Sequence, residues 1–361
     1  MNTTRQLIVT AQPEFAQVAV TELQQLEPQV EQCAELAPGI VLCAVPHAEQ
    51  FMQRAARQHP LFVRHLAPVQ TSLPLDNSEQ DIGAIAAALA ALPTFGLLER
   101  GIHFSVQSRL ISTDKSQGKR PYSSGQINQA LAAAIVDETK ANESIKKPQI
   151  VVSILCTSDT GYLGISPVED NLSSWPGGAR QFAQTAEQIS RAEFKLLEAL
   201  DVFGVSLPSE GRALDLGAAP GGWTRLLLEA GMSVVAVDPA RLDPRLAGRK
   251  HLEHYQGYAE DYIEAAVRKG QHYDVIVNDM RMDAREAARL LARAARSLKK
   301  EGFMISVLKL PHATQVIDPL KTLKEALNIL SQQYTFVQTQ QLFHNRQEVT
   351  LVAAHPRQAR R

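Results

Sequence analysis

A hydrophobic strand that runs into a glycine- and proline-rich turn constrains the fold of this chain more than any other stretch. It spans residues 212–224, where Leu214 and Leu216 precede Gly217 and the run Pro220-Gly221-Gly222. Glycine adopts positive φ angles without steric cost and lets the backbone approach a ligand closely. In doubly wound sheets such a turn lies at the carboxyl ends of the strands, where ligands bind. The stretch therefore predicts an α/β domain with a ligand site at this turn.

Strands and helices alternate from about residue 184 to the end of the chain. Repeated βα units of this kind specify a mostly parallel, doubly wound sheet. Two closing strands joined by a short turn predict an antiparallel hairpin at its edge. The predicted strands are 213–216, 233–237, 251–255, 273–278, 302–308, 336–343 and 348–353, and the predicted helices are 186–200, 223–230, 260–269, 284–299 and 319–331.

The front half of the chain predicts two smaller α+β domains. Residues 7–73 follow the pattern strand, helix, strand, helix, strand, and an alanine-rich helix at 81–92 closes this first domain, 1–92. A second domain, 93–170, contains a strand at 103–111, a basic loop, a long helix at 124–142 and a hairpin at 149–165. A Trp-Pro-Gly-Gly run marks a linker at 171–183, so the last domain covers 184–361.

Composition excludes some classes of protein and favours others. The hydrophobic share of 45% and the charged share of 21% are typical of a folded soluble protein. No apolar run approaches the roughly 18 residues of a membrane helix, and the N-terminus does not have the pattern of a signal peptide. We therefore expect a cytoplasmic protein without membrane contact. A net charge of −1 means that any surface that binds nucleic acid has to be local.

The three cysteines argue against a metal centre. Cys33, Cys43 and Cys156 have no CxxC spacing and cannot all pair with one another. Each lies in or beside an apolar run, so we interpret them as reduced residues in or near the core. A structural zinc site is disfavoured, and we predict no metal.

The turn at 217–222 differs from a dinucleotide-binding loop. A GxGxxG loop needs its second glycine to make room for a pyrophosphate, and here that position is Ala219, followed by the rigid Pro220. The cleft is therefore expected to take a nucleoside ligand without phosphates. Asp238, at the end of the next strand, is placed to hold ribose hydroxyls, and Asp261, after the third strand, could accept from an adenine amino group. The alternative is a plain βα turn in which Asp238 caps a helix.

The run DLGAAPGGWT at 215–224 resembles the cofactor loop of the FtsJ-like ribose methyltransferases, which has the form DLG-x-x-PGG-[WF]-[ST]. This resemblance implies a class I, Rossmann-like methyltransferase domain with a mostly parallel sheet and an antiparallel edge strand. It also implies S-adenosylmethionine as the cofactor. The residues that it places at the cofactor are Asp215, Gly217, Pro220, Gly221, Gly222 and Trp223.

Two lysines and two acids match a second feature of the same family. Lys195 lies in SRAEFKL, Asp279 in ND, Lys309 in LKLP and Glu348 in NRQEV. In order and context they resemble the K-D-K-E catalytic tetrad of the FtsJ-like enzymes. Taken singly, Lys195 could be a solvated helix residue and Glu348 an edge-strand charge. As a set, they predict a catalytic site.

The chemistry explains why such residues are needed. A ribose 2′-hydroxyl must lose its proton as it attacks a methyl carbon, and a lysine with its ordinary pKa of about 10.4 is a poor base near neutral pH. A second ammonium and partial burial are both expected to lower that pKa. Lys309, with Lys195 beside it, is therefore the predicted base. Asp279 would orient the lysine and lie near the cofactor's positive charge, and Glu348 would position the lysine or the sugar.

The second front domain, 93–170, resembles a THUMP module, which occurs in RNA-modifying enzymes, and residues 7–69 would be its ferredoxin-like companion. The resemblance rests on the strand at 104–109, the basic loop, the long helix and the final segment 159–165. The predicted contacts with phosphates and bases are Arg109, Lys115, Lys119, Arg120 and Tyr122. The alternative is a solvated loop.

The arrangement over most of the chain resembles an FtsJ-like enzyme of bacterial large-subunit ribosomal RNA. This resemblance implies RNA as the partner, with the 2′-oxygen of a cytidine in 23S rRNA as the target, and no DNA. Ala219 departs from that enzyme, which tends to have cysteine there. Alternatives are a ribose methyltransferase of tRNA, a methyltransferase of protein, or a non-catalytic RNA-binding assembly factor. A nicotinamide enzyme is disfavoured by Ala219 and Pro220, and the oligomeric state stays open.

Overall fold

The computed structural model describes residues 5–111, 120–312 and 318–357. The chain divides into two compact units, one that ends at Arg180 and one that begins at Gln181. This division falls inside the stretch 171–183 that was predicted as a linker.

The first part of the front unit is an antiparallel four-stranded sheet with two helices. Its strands lie in the order β2-β3-β1-β4. Chain order β-α-β-β-α-β with this strand order is the ferredoxin-like arrangement, which confirms that part of the predicted fold. The elements are β1 (Gln6–Ala11), α1 (Ala16–Leu26), β2 (Glu31–Ala37), β3 (Ile40–Ala44), α2 (Ala48–Gln58) and β4 (Val63–Val69).

The second part of the front unit is a mixed sheet of five strands in the order β5-β9-β8-β6-β7. Ile85 and Leu89 of helix α3 pack with Ile127 and Leu131 of helix α4 in the core of this second sheet. The helix predicted at 81–92 therefore packs with the second domain and not with the first. The THUMP resemblance stays a prediction. The elements are β5 (Thr71–Pro74), α3 (Gln80–Ala90), β6 (His103–Leu110), α4 (Ser124–Thr139), β7 (Asn142–Glu143), β8 (Ile150–Cys156) and β9 (Thr160–Pro167).

The second unit is a seven-stranded α/β sheet in the order β12-β11-β10-β13-β14-β16-β15. The first five strands in this order are parallel, which confirms the predicted fold class. Its elements are α5 (Glu193–Val202), β10 (Arg212–Leu216), α6 (Gly222–Glu229), β11 (Ser233–Val237), β12 (Leu252–Tyr255), α7 (Ala259–Arg268), β13 (Tyr273–Asn278), α8 (Ala284–Ala294), β14 (Leu298–Lys309), α9 (Pro319–Ser331), β15 (Tyr334–Gln340) and β16 (Glu348–Pro356).

The antiparallel strand of this sheet is not at its edge, which corrects one detail of the prediction. Strand β16 lies between β14 and β15 and pairs antiparallel with both. The predicted closing hairpin is present, because β15 and β16 pair directly, but its second strand lies inside the sheet and its first strand forms the edge. Because β16 is antiparallel to its neighbours, its first residue lies at the carboxyl ends of the parallel strands β10, β11, β13 and β14. Side chains at these strand ends can meet.

Helix α5 begins later than predicted. It starts at Glu193 and not at residue 186. The carboxylate of Glu193 accepts the backbone N–H of Ile189 at 2.7 Å, which holds the chain in a turn before the first helical residue. Because the helix begins at Glu193, Lys195 lies in its first turn.

The three cysteines differ in their burial. Cys43 and Cys156 are buried, but Cys33 is exposed on β2, so the interpretation of Cys33 as a core residue was wrong.

In the ranges that the structure describes, no helix is long and apolar enough to cross a bilayer.

Two glycines of the front unit provide a test of the packing between β9 and β4. A Cβ at Gly164 would lie 2.0 Å from the backbone oxygen of Pro68, whereas a Cβ at Gly83 in α3 meets nothing within 4 Å. We expect Gly164→Ala to lower the free energy of unfolding by several kcal/mol, because two backbones must separate. Gly83→Ala is the matched control and should raise that free energy by about 0.5–1 kcal/mol. Urea unfolding measures both, and equal effects of the two substitutions would contradict the packing.

Candidate active site

Four charged side chains meet at the carboxyl ends of the parallel strands of the seven-stranded sheet and form what we call the ion ring: Lys195, Asp279, Lys309 and Glu348. Lys309 Nζ lies 2.6 Å from Asp279 Oδ1 and 2.5 Å from Glu348 Oε2. Lys195 Nζ lies 2.5 Å from Glu348 Oε1 and 3.4 Å from Asp279 Oδ2. Cations and anions therefore alternate, and the four formal charges cancel.

The fold explains why these residues meet. Lys309 is the last residue of β14 and Glu348 the first of β16, and the two are directly paired across the antiparallel ladder. Asp279 follows the last residue of the neighbouring strand β13. Lys195 comes from α5, the helix that precedes β10 in the chain. The four residues that the sequence pattern grouped are thus brought into one site by four separate elements.

Burial and charge act against each other in the ion ring. Burial lowers the pKa of Lys309, but Asp279 and Glu348 outweigh it and leave the pKa above the ordinary value of lysine. Burial raises the pKa of Glu348, but the two lysines outweigh it and leave that pKa below the ordinary value of a carboxyl. Both groups are therefore charged at neutral pH. The expectation that a second ammonium and burial would lower the pKa of Lys309 was wrong. Two carboxylates lie within 2.6 Å of its nitrogen, and they raise the pKa by more than burial lowers it.

The glycine-rich turn lies beside the ion ring. Gly217 has a φ of 74° and donates its N–H to the carbonyl of Val237 at 2.9 Å. A Cβ at Gly217 would lie 2.5 Å from Cγ of Met280, the residue after Asp279. Gly221 has a φ of 112°. The turn thus approaches the ion ring at a place where a side chain at position 217 would not fit.

Asp215 and Trp223, both predicted to line the cofactor, lie in the interior. Asp215 is 1% exposed and its Oδ2 accepts the hydroxyl of Thr224 at 2.6 Å. Trp223 is 3% exposed, packs in the core of the sheet and donates its indole N–H to the carbonyl of Ala192 at 2.6 Å. Both side chains therefore pack on the interior side of the glycine-rich turn and are not exposed to the cleft. Gly222 is also buried, against Ser190 and Glu193.

The remaining predicted cofactor residues are accessible, except for Gly221, which is buried. Asp238 follows β11, and its carboxylate accepts the N–H of Ala219 at 3.1 Å and that of Ala240 at 2.8 Å. A carboxylate can accept further hydrogen bonds, so Asp238 can also accept from ribose hydroxyls. Asp261 is exposed in the first turn of α7, and Pro220 is exposed in the glycine-rich turn. These carboxylate acceptors fit the hydroxyl and amino donors of a nucleoside such as the adenosyl group of S-adenosylmethionine.

Three of the residues predicted to bind RNA lie in the described part of the chain, and each is bonded to another protein group. Tyr122 is 5% exposed and donates its hydroxyl to Asp81, so it is a core residue and the stacking prediction for it was wrong. Arg109 donates to Thr10 Oγ1 at 2.9 Å, and burial lowers its pKa. Arg120 is partly exposed and donates to Asn77 Oδ1 at 2.6 Å. Lys115 and Lys119 lie outside the described residues.

Two further pairs support the ion ring and were not found from the sequence. Glu198 is 3% exposed and accepts the N–H groups of Phe343 and His344 at 2.8 and 2.9 Å. Asn278 donates to Ser306 Oγ at 2.8 Å and so joins the ends of β13 and β14. The spacing of Glu198, three residues after Lys195 on one helix, is a signal that could have identified it.

No cluster of metal ligands accompanies the site. In the parts of the chain that the structure describes, no group of three or more His, Cys, Asp or Glu side chains is arranged to hold a metal ion.

The buried carboxyl of Asp215 predicts a pH-dependent stability. Burial raises its pKa to about 7, the charges of Asp279 and Asp238 add to this, and the Thr224 hydroxyl opposes it. The unfolded value is about 3.9, so the folded chain binds the extra proton between about pH 4 and pH 7, and stability falls as the pH rises through that window. We expect the wild type to lose stability relative to Asp215→Asn over this window and to change little relative to it at higher pH. Urea unfolding at a series of pH values measures this difference.

Asp283→Asn is the control for that experiment, because the opposite dependence of stability on pH is expected for Asp283. Hydrogen bonds from Arg285 hold the pKa of Asp283 below its ordinary range. The wild type should therefore lose stability relative to Asp283→Asn as the pH falls below about 4. A constant difference between the wild type and Asp215→Asn from pH 4 to pH 7 would show that Asp215 does not titrate in this range.

Comparison with known proteins agrees with this geometry. The family model of FtsJ-like methyltransferases matches residues 188–349. Ribosomal RNA large subunit methyltransferase M of Shewanella frigidimarina is 31% identical over 286 residues, 76% of this chain and 75% of that protein. The protein of the same name from Marinobacter nauticus is 30% identical over 67% of each chain.

A third relative matches over a shorter length. Ribosomal RNA large subunit methyltransferase M of Halorhodospira halophila is 34% identical over 195 residues, and the match spans about half of each protein, 53%. The matched family model includes all four residues of the ion ring and the glycine-rich turn. The chain belongs to the ribosomal RNA large subunit methyltransferase M family, and its second unit contains an S-adenosylmethionine-dependent, FtsJ-like methyltransferase domain.

Proposed function

We propose that this protein transfers a methyl group from S-adenosylmethionine to the 2′-oxygen of a cytidine ribose in 23S rRNA, with Lys309 as the base. The observation that carries the proposal is the ion ring, which stands at the carboxyl ends of the strands beside the glycine-rich turn. The printed names of the relatives, which are enzymes of large-subunit ribosomal RNA, support the substrate. A ribosomal RNA substrate places the activity in the cytoplasm.

The contacts of Lys309 suit it for handling a hydroxyl proton. An ammonium has three donors, and two of them point at Asp279 and Glu348. Among the described residues these are the partners of this nitrogen, so its third donor can meet the oxygen of a substrate hydroxyl. When Lys309 has lost its proton, the same nitrogen can accept the proton of that hydroxyl. The oxygen would then bond to the methyl carbon as the bond from that carbon to sulfur breaks, and the sulfur would leave as a neutral thioether.

The other members of the ion ring position Lys309. Asp279, which follows β13, and Glu348, which begins β16, both bind its nitrogen. The nitrogen therefore has a fixed place before substrate binds. Lys195 balances the second negative charge, because it lies against both carboxylates. Without Lys195, the two acids would hold the proton on Lys309 still more strongly.

The turn and the strand ends provide the residues that would hold the cofactor. When bound, S-adenosylmethionine supplies an electrophilic methyl group on a positively charged sulfur. Gly217 and Pro220 would line its site, Gly221 would give the turn its shape, Asp238 would accept from its ribose hydroxyls, and Asp261 would accept from its adenine amino group. The carboxylate of Asp279 lies where it can face the positive charge.

The front unit is proposed to bind the RNA. Its exposed basic residues, and not its net charge, must supply the contacts with phosphate, since the whole chain carries −1. Of the predicted contacts in the described part of the unit, Arg109 and Arg120 are partly exposed. Tyr122 is instead buried.

Two alternatives differ in substrate or in activity. A ribose methyltransferase of tRNA would use the same ion ring, so only the substrate separates it from our proposal. A non-catalytic assembly factor would have no need to retain four alternating charges at one point. The intact ring therefore favours an enzyme.

Substitution of Lys309 tests the reaction. We expect Lys309→Ala to lower methyl transfer by about 10²–10⁴-fold, because the base is lost. Lys300→Ala, an exposed lysine at the other end of the same strand, is the matched control and should leave transfer unchanged. Radiolabelled S-adenosylmethionine, with unmodified large-subunit rRNA, small-subunit rRNA and tRNA as separate substrates, measures both variants. The label should map to a ribose of the large-subunit rRNA, and label on tRNA alone would contradict the substrate.

The raised pKa of Lys309 predicts the pH dependence of the rate. Because the proton must be absent before Lys309 can act, kcat/KM should rise about tenfold per pH unit through the neutral and mildly alkaline range. Glu348→Gln removes one of the charges that raise this pKa. Its rising limb should therefore move to lower pH, although its rate is lower. A flat profile for the wild type would mean that Lys309 acts only as a cation.

A further inference from the structure

Four aromatic rings lie together beside the ion ring and take no part in the proposed reaction. This aromatic cluster consists of Phe182, Phe194, Phe343 and His344. The Phe182 and Phe194 rings are stacked with their centroids 5.9 Å apart. The His344 ring lies 5.7 Å from Phe182, 5.3 Å from Phe194 and 5.2 Å from Phe343. All four residues are partly exposed.

The cluster is tied to the ion ring by the chain itself. Phe194 precedes Lys195 on α5, and His344 lies four residues before Glu348 in the turn between β15 and β16. The carboxylate of Glu198 accepts the backbone N–H of His344 at 2.9 Å and contacts its Nδ1 at 2.7 Å. Glu198 and Lys195 are three residues apart and share one face of the helix. The rings therefore have a fixed position relative to the proposed base.

Phe343 and His344 of the aromatic cluster lie on the opposite side of the ion ring from Asp238 and the glycine-rich turn. In the strand order the glycine-rich turn and Asp238 follow β10 and β11, on one side of β13 and β14. Phe343 and His344 follow β15, on the other side. A transfer reaction needs the donor and the acceptor to approach the reacting point from different directions. The side with the aromatic cluster is therefore the side of the acceptor.

We propose that the aromatic cluster is a stacking site for a nucleobase of the substrate RNA, next to the ribose that is methylated. This inference rests on the proposed function and specifies how its substrate is held. Unpaired bases are bound in proteins by stacking on Phe, Tyr, Trp and His rings. Arg191, just before α5, and Arg346, just after His344, are both exposed and can contact the phosphates of the same strand. Aromatic rings beside arginines match the chemistry of single-stranded RNA.

Binding of a fluorescent RNA tests the proposal. The probe is a short single-stranded oligoribonucleotide with 2-aminopurine, whose fluorescence falls when the base stacks on an aromatic ring. The variants are Phe194→Leu and Phe182→Leu, which keep an apolar side chain and remove the π face. Phe336→Leu is the matched control, because Phe336 is an exposed ring of the edge strand β15 outside the cluster. Phe182→Tyr keeps a ring and should keep the quenching.

The expected result separates stacking from folding. Wild type, Phe336→Leu and Phe182→Tyr should quench the probe, and the two Leu variants should bind it about ten- to a hundredfold more weakly. With large-subunit rRNA as substrate, the Leu variants should raise KM more than they lower kcat. Their affinity for S-adenosylmethionine, measured by calorimetry, should not change. If one variant fails to fold, the other decides.

Other outcomes distinguish this inference from the proposed function. If the wild type does not quench the probe, or if both Leu variants quench it and methylate RNA as the wild type does, the stacking site is wrong while methyl transfer stands. If the wild type quenches the probe and the Leu variants do not, but no RNA accepts a methyl group, the stacking site stands and the proposed function is wrong.

Discussion

The arrangement of the second unit depends on four alternating charges held within hydrogen-bonding distance of one another. Each lysine of the ion ring touches both acids, at distances from 2.5 to 3.4 Å. In a partly buried place an unpaired charge is costly, and loss of one partner leaves the others uncompensated. The ring is stable only if α5, β13, β14 and β16 all deliver their residue to the same point. The insertion of β16 meets this need, because an antiparallel strand begins where its parallel neighbours end and so brings Glu348 opposite Lys309.

Much of this arrangement could be predicted from the sequence, because its signals are local. The alternation of strands and helices, the glycine-rich turn and the grouping of the four charged residues all follow from short patterns. The position of β16 does not, since two strands joined by a short turn favour a hairpin and nothing local shows that the last strand pairs with β14 as well. Strand β2 was missed for a similar reason, because most of its side chains are exposed and give no apolar alternation.

The direction in which a side chain points is harder to predict than its place in the chain. Tyr122 adjoins a basic loop, yet its ring turns inward to Asp81. Asp215 and Trp223 belong to the glycine-rich motif but serve its interior side. The pKa of Lys309 was predicted in the wrong direction because the sequence shows a second lysine and a buried strand, whereas only the structure shows two carboxylates within 2.6 Å of its nitrogen.

The position of Glu348 is determined twice, and this links catalysis to substrate binding. Pairing with Lys309 across the ladder fixes the start of β16, and Glu198 fixes the turn before it through two backbone N–H groups and the His344 ring. Glu198 stands on the same helix as Lys195 and Phe194. One helix therefore carries a charge of the ion ring, a ring of the aromatic cluster and the acid that anchors the turn between them. Because these three share one helix, and Glu348 binds both Lys195 and the proposed base Lys309, the proposed stacking site has a defined place relative to the ion ring.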